Sequence, residues 1–345
     1  MILKIDNLRV TFKNGITALD GVNFAIPKKS FIVILGESGS GKTTLLKTIA
    51  GLIDAREGSV FINDEDVTEI MPMYRDVAIV FQDFVLYPHM TIYENVLTGL
   101  NRFPLSEEKK DERVKQILIE FGLKNYLNFK PRHLSDGQKQ RVAICKALVR
   151  EPSLFLFDEP LANLDLPQRL AIRNELKEIF KTHQGSFIYV THDIKEAESL
   201  SDHIIILKDG KVVQEGQINE IRKQPVSLDV ARLIYGDELN ILSTREWNNK
   251  TANNFFQNIV SLNDNLDSTI AIPYRSITIA EKGDFSGVIS KINTTPNGVI
   301  FKMKFKNLND AILQCYVNSD DAIHYQINDA VEIKINTFKV LIYKN

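Results

Sequence analysis

Eight consecutive residues, Gly36, Glu37, Ser38, Gly39, Ser40, Gly41, Lys42 and Thr43, have the types and spacing needed to hold phosphate. They fit G-x-x-x-x-G-K-[ST], the P-loop. Its glycines let the backbone curl close to an anion, and the N–H groups of the loop and of a following helix point at it. In such a loop Lys42 reaches the β- and γ-phosphates, the Thr43 hydroxyl ligates Mg²⁺, and Thr44 continues the helix. Two neighbouring acids, Asp158 and Glu159, end the apolar run Leu154-Phe155-Leu156-Phe157. An acid at a strand end is often just a solvated turn. Downstream of a P-loop, Asp158 suits Mg²⁺, directly or through water, and Glu159 suits polarising a water that attacks the γ-phosphate. Ser135, Asp136, Gly137 and Gln138 open an amphipathic stretch running to Leu148. A helix N-terminus there offers N–H groups and a positive dipole end to an anion, and Ser135 reads equally as an N-cap; both can hold together. Gln82 and His192 end two further apolar runs and carry little alone.

These residues need elements to position them. Phe31–Leu35 reads as a buried strand and Thr44–Ala50 as a helix, the order that a P-loop requires. Val77–Val80 and Phe187–Val190 read as the strands before Gln82 and His192. Residues 1 to about 83 alternate short strands with turns. Residues 84–152 are mostly helical; Val114, Ile117, Leu118 and Phe121, for example, fall at i, i+3, i+4 and i+7. Strand–helix alternation resumes over 153–235. Short, very apolar strands suit a parallel sheet covered on both faces. The fold class is therefore α/β: a doubly wound P-loop NTPase core with an inserted helical subdomain. Composition shifts after Gly236, and runs at 286–292, 299–305, 312–317 and 330–335 read as strands, with Thr295–Gly298 as a hairpin turn. That predicts a small all-β, OB-like domain over 236–345 behind an ATPase domain over 1–235. Asp64–Glu69 lacks the spacing of a Ca²⁺ loop and reads as a solvated turn.

Taken in order, the motifs resemble one family, the ATPase subunits of ATP-binding cassette (ABC) transporters. Walker A (36–43), a Q-loop Gln82, a signature (134–138), Walker B (154–159), a D-loop ending in Asp165 and an H-loop His192 all occur in sequence. The resemblance implies that Gln82 meets Mg²⁺ and the lytic water, and that His192 meets the γ-phosphate. It implies that Ser135, Gly137 and Gln138 face the nucleotide of a second copy across a homodimer interface. Phe12, in Val10–Gly15, matches the aromatic that stacks on adenine; the other reading is a strand aromatic in the core. The cofactors implied are ATP and Mg²⁺. One departure is Asp136, where the family has glycine most often: an acid there should repel a γ-phosphate unless its side chain points away.

The segment Phe84–Val96 resembles the part of importer ATPases that lies beside a permease's coupling helix, and 236–345 resembles their "TOBE" domain. Together they favour import, through a separate membrane permease and with an extracytoplasmic solute-binding protein, over export or a soluble non-transport ATPase. Composition agrees with this. The chain has 345 residues, 25% of them charged, and a net charge of −2, which is no nucleic-acid-binding signature. No apolar run is long enough to span a bilayer, and Met1–Asp6 lacks a signal-peptide core. Cys145 and Cys315 read as free thiols in a reducing compartment, and the resemblance implies a place on the cytoplasmic face of the membrane, held there by the permease.

Overall fold

The computed structural model describes residues 1–201, 203–243, 268–296, 298–306 and 310–344. Asn297 of the expected hairpin turn and the Asn-rich residues 244–267 lie outside the described residues. The chain divides into two compact units, Met1–Asn219 and Glu220–Asn345.

The first unit contains two sheets. β1 (Leu3–Thr11), β2 (Thr17–Ile26), β4 (Glu57–Ile62) and β5 (Glu65–Asp66) form an antiparallel sheet in the order β2-β1-β4-β5. The second sheet runs β10-β9-β3-β8-β7-β6, from β3 (Phe31–Leu35), β6 (Val77–Val80), β7 (Leu154–Asp158), β8 (Ser186–Thr191), β9 (His203–Lys208) and β10 (Lys211–Gln217). It is parallel except for β10. A single doubly wound core is the sequence expectation for this region; the structure sets the first strands apart. β1 and β2 are joined by a short hairpin and bury one alternating face, whereas β7 and β8 are buried along their whole length.

Helix α1 (Lys42–Ile49) lies between the sheets, with Leu45, Leu46 and Ile49 in their common core. The helical insertion holds α2 (Ile92–Leu97), α3 (Glu107–Glu120) and α4 (Asp136–Leu148). Ser106 caps α3, whose buried residues Val114, Ile117 and Leu118 are those of the expected apolar face. Helices α5 (Leu166–Thr182) and α6 (Ile194–Leu200) complete the strand–helix alternation. Asp64–Glu69 forms the β4–β5 hairpin and the turn after it, where Asp66 accepts from the Thr68 backbone and hydroxyl.

The second unit begins within α7 (Ile218–Lys223) and continues through α8 (Leu228–Tyr235). Ala231 of α8 packs with Leu239 and Ala271, so this helix belongs to the β-rich unit. The composition break after Gly236 thus falls later than the structural boundary. β11 (Leu239–Ser243), β12 (Ser268–Pro273) and β18 (Leu341–Lys344) form one antiparallel sheet. The other five strands are β13 (Ile277–Ala280), β14 (Phe285–Thr295), β15 (Gly298–Phe305), β16 (Ala311–Val317) and β17 (Ala330–Ile335), in the order β13-β17-β14-β15-β16. Phe301, Met303, Phe305, Leu313 and Cys315 form their core. Buried Asn240 ties the two sheets: its amide donates to the Gln314 and Ile272 carbonyls, and its Oδ1 accepts from Gln314 N. The content is that of a small OB-like β-domain. β14 to β17 match the sequence-predicted runs, and Thr295 pairs with Gly298 across the expected turn.

Candidate nucleotide site

The register of the parallel sheet brings four motifs to one edge. Leu35 is opposite Thr191, Asp158 opposite Val190, and Val80 opposite Phe157. The chain continues from these strand ends into Gly36, His192, Glu159 and Gln82. Ligands of open α/β sheets bind at this carboxyl edge, because loops and helix N-termini converge there.

Gly36–Gly41 crosses from β3 to α1, with Gly39 and Gly41 at φ of 85° and 103°. A Cβ on Gly41 would lie 2.5 Å from the Ala18 carbonyl, so this close approach to β2 requires glycine. Glu37, Ser38 and Gly39 form the exposed crown of the loop, and Thr43 and Thr44 begin α1. Lys42 is buried, and its ammonium donates to the carbonyls of Gly36 and Glu37 at 2.9 and 2.8 Å. Burial pulls its pKa down, opposed by Glu159. The Thr43 hydroxyl donates to Asp158 Oδ1 at 2.8 Å. The buried Ser40 hydroxyl has no protein partner. An orphaned hydroxyl, a lysine, and a hydroxyl beside a carboxylate at the start of α1 make a donor set that fits a nucleotide triphosphate with Mg²⁺.

Glu159 follows β7 in the left-handed region, at φ 44°, a conformation that costs a non-glycine residue about 1–3 kcal/mol. Its N–H donates to the Val190 carbonyl, which fixes where the carboxylate points. Glu159 Oε1 stands 3.6 Å from Lys42 Nζ, and Oε2 stands 2.9 Å from His192 Nδ1. The acid, the P-loop lysine and the H-loop histidine therefore form one cluster, as the motif order predicts. Gln82 is exposed, and its backbone carbonyl accepts from Asn163 Nδ2 of the D-loop. Asp165 caps α5 by accepting from Gln168 N. A residue outside the sequence motifs braces the end of β8: buried Glu196 accepts from the Thr191 hydroxyl at 2.7 Å and the Tyr189 hydroxyl at 3.2 Å. A glutamate one helical turn into α6 reads in sequence as a solvated charge, and only the fold turns it inward.

The signature residues are organised differently. Ser135 and Gln138 form a capping box: Ser135 Oγ accepts from Gln138 N, and Gln138 Oε1 accepts from Ser135 N. These bonds stay within the pair and reach no residue of 36–43. Gly137 lies where a Cβ would sit 2.8 Å from Gln168 Oε1, so the start of α4 abuts the start of α5. Asp136 points away from the capping box toward the next turn of α4. Its carboxylate is half-exposed and bonds Lys139 Nζ at 2.8 Å, which compensates its charge locally. Phe12 sits on the β1–β2 loop with 40% of its surface exposed, which excludes the reading of it as a core aromatic.

Asp158 gives a stability prediction. Burial pushes its carboxyl above the usual value, with Glu159 adding to the shift and the Thr43 bond opposing it. In the unfolded chain the group ionises at its ordinary value, and in the fold it ionises later. Stability is therefore lost as pH rises from the first value through the second. Asp158→Asn keeps an acceptor for Thr43 and removes the buried charge. It should raise the melting temperature of the nucleotide-free protein by a few degrees at pH 8. The gain should vanish at acid pH, where both states hold the proton. A variant less stable than wild type at pH 8 would contradict this.

The profile of the ABC transporter family matches residues 19–162. The sn-glycerol-3-phosphate import ATP-binding protein UgpC of Cupriavidus metallidurans is 42% identical over 240 residues, which cover 70% of this chain and 65% of that protein. The protein of that name from Brucella abortus is 39% identical over 242 residues, covering 70% and 69%. The dimeric ATP-binding cassette MJ0796, solved with ADP and Pi in a post-hydrolysis state, superposes with a TM-score of 0.57 at 36% identity, over 62% of this chain and 98% of that one. CbiO1 of Clostridium perfringens superposes with a TM-score of 0.58 at 30% identity, over 65% and 95%. With its motifs gathered at one sheet edge and these proteins as relatives, the chain belongs to the ABC transporter family, among its ATP-binding cassette ATPases.

Proposed function

We propose that this protein is the ATP-hydrolysing subunit of an importer, working as a homodimer on the cytoplasmic face of a membrane beneath a separate permease. The observation that carries the reading is the cluster Lys42–Glu159–His192 beside Thr43–Asp158 at the mouth of the P-loop. Bound ATP would place its phosphates on the loop N–H groups and exchange Lys42 from Glu159 to the β/γ-oxygens. Thr43 and Asp158, with Gln82, would hold Mg²⁺, which supplies charge neutralisation for the phosphates. Glu159, released from Lys42, takes up the proton of the attacking water, and His192 orients the acid and faces the γ-phosphate. Water bonds to the γ-phosphorus as the bond to the bridging oxygen breaks, giving ADP and phosphate. The chain contributes positioning and fixed charge, with no covalent intermediate. Ser135 and Gln138, at the solvent-facing start of α4, would receive the nucleotide of the second copy, with Gly137, buried against Gln168, letting the chain approach closely; the bonds of Ser135 and Gln138 reach no P-loop residue of their own chain. The related cassette MJ0796 is described as dimeric, which supports this assembly.

The permease side of the proposal rests on the segment after Gln82. A cleft of about 950 Å³ is lined by Phe81, Phe84, Tyr87, Met90 and Phe103 among others. Lys146 of α4 stands over the Tyr87 ring at 4.3 Å, and Asn95 holds Tyr87 through its N–H and its carbonyl. The loop is thus pinned with apolar groups facing a groove, which suits a helix of a partner. The UgpC relatives are named as import proteins, and that supports the direction. The test is reconstitution in vesicles with the permease encoded beside this gene. Import requires ATP-driven solute movement toward the face that bears this protein. Movement away from that face, or no coupling of ATPase rate to the permease, would overturn it.

A further inference from the structure

Arg75 is a buried cation that none of the sequence motifs includes. It is 5% exposed, and its guanidinium spans four backbone carbonyls. Nη1 donates to Thr48 and Ile49 at 2.9 and 2.8 Å, Nη2 to Thr68 at 2.9 Å, and Nε to Ile70 at 2.8 Å. The first two carbonyls are at the C-terminal end of α1, where a helix leaves acceptors unpaired and carries the negative end of its dipole. The other two follow β5. Gly51, at φ +76°, makes the room: a Cβ there would lie 2.6 Å from Arg75 Nε. The acids whose charge it feels, Asp54, Asp66 and Glu69, form no ion pair with it among the described residues.

The two ends of this strut lead to two halves of the nucleotide site. α1 carries the phosphate-binding loop at its N-terminus. Thr68 is stitched to β4, since its Oγ1 accepts from Val60 N, and β4 pairs with β1. β1 ends at Thr11, next to Phe12. The apolar contacts of Leu45, Leu46 and Ile49 hold α1 against this sheet, but apolar contact is non-directional and leaves sliding cheap. Four hydrogen bonds from one planar group set a register. We propose that Arg75 is a positioning residue for nucleotide recognition: it fixes the P-loop helix relative to the antiparallel sheet, and so fixes the distance from the phosphate cradle to the ring of Phe12. The proposal rests on the reading of Phe12 as the base-stacking residue.

The test compares equilibrium binding of ATP and of inorganic tripolyphosphate, both without divalent cation, to the full-length protein. Arg75→Lys keeps the charge, but an ammonium cannot span both pairs of carbonyls. ATP binding should weaken about tenfold, toward the lower end of what one base–aromatic stack is worth, while tripolyphosphate binding changes less than about twofold. Gly51→Ala pushes on the guanidinium without removing it and should give the same selective loss, which covers the case of a poorly folded Arg75→Lys. Phe12→Ala should do likewise, and Phe12→Ala with Arg75→Lys should bind ATP no more weakly than Phe12→Ala alone. Equal weakening of both ligands would overturn the proposal, because Arg75 would then only hold the fold. If Phe12→Ala weakens ATP and both Arg75→Lys and Gly51→Ala spare it, the proposal falls alone. If Phe12→Ala leaves ATP binding unchanged, the reading of Phe12 falls and the proposal falls with it.

Discussion

Glu159→Gln will bind ATP and lose turnover by about 10²–10⁴-fold, the contribution expected of a positioned general base. The geometry makes the substitution clean. Glutamine is isosteric, so the strained backbone at φ 44° and the bond from Glu159 N to Val190 are kept. Its carbonyl can still accept from His192, which stands 2.9 Å from the carboxylate. What disappears is the negative charge 3.6 Å from Lys42 and the capacity to take a proton from water. Loss of that charge frees Lys42 for phosphate, so ATP affinity should hold or rise. Phosphate release and calorimetric ATP binding, measured side by side, separate the two effects. Hydrolysis near the wild-type rate would remove Glu159 from the chemistry.

Lys42→Ala is the complementary case and will lose binding and turnover together. The ammonium is buried, bonded to the carbonyls of Gly36 and Glu37, and near Glu159. Its removal leaves that carboxylate without its cation inside a site that must accept a triphosphate. The ammonium would also meet the β- and γ-phosphates, and a hydrogen bond to a charged group is worth about 1.5–3 kcal/mol. ATP affinity should therefore fall at least tens of fold, with circular dichroism reporting an intact fold. Unchanged ATP binding by calorimetry would contradict the placement of Lys42 against the phosphates.

Much of the placement of these residues is legible in the sequence, for a physical reason. The paired acids, the loop glycines and the H-loop histidine each follow an apolar strand, and in a parallel sheet the carboxyl ends of the strands fall on one edge. Reading four apolar runs and the residues after them is then nearly the same as reading the site. The same logic recovered β14 to β17, whose alternating faces are local signals. What stayed hidden depends on pairing between distant segments. β11, β12 and β18 are short, and their partners lie far along the chain, so no periodic pattern announces them. The separate sheet of β1, β2 and β4 follows from hairpin pairing that hydrophobicity alone does not encode. Arg75 looks like an ordinary charge in a polar turn; it is buried only because four carbonyls from two segments converge on it. Asp136 shows the reverse case. Its acid stands out in the sequence, and the fold pairs it with the lysine three residues on.

The central claim is that each ATP is held between the P-loop of one copy and residues Ser135–Gln138 of another. Disulfide trapping tests it most directly. Ser38 is at the exposed crown of the loop, and Ser135 caps α4; the native Cys145 and Cys315 are fully buried and stay out of the reaction. Chains carrying Ser38→Cys are mixed with chains carrying Ser135→Cys, both in the Glu159→Gln background so that ATP persists, and oxidised mildly with ATP and Mg²⁺. The account predicts a covalent pair of 39.3 kDa chains that needs both cysteines and forms only when ATP is present. No cross-link with ATP, or the same yield with and without it, would contradict a nucleotide site shared between two copies.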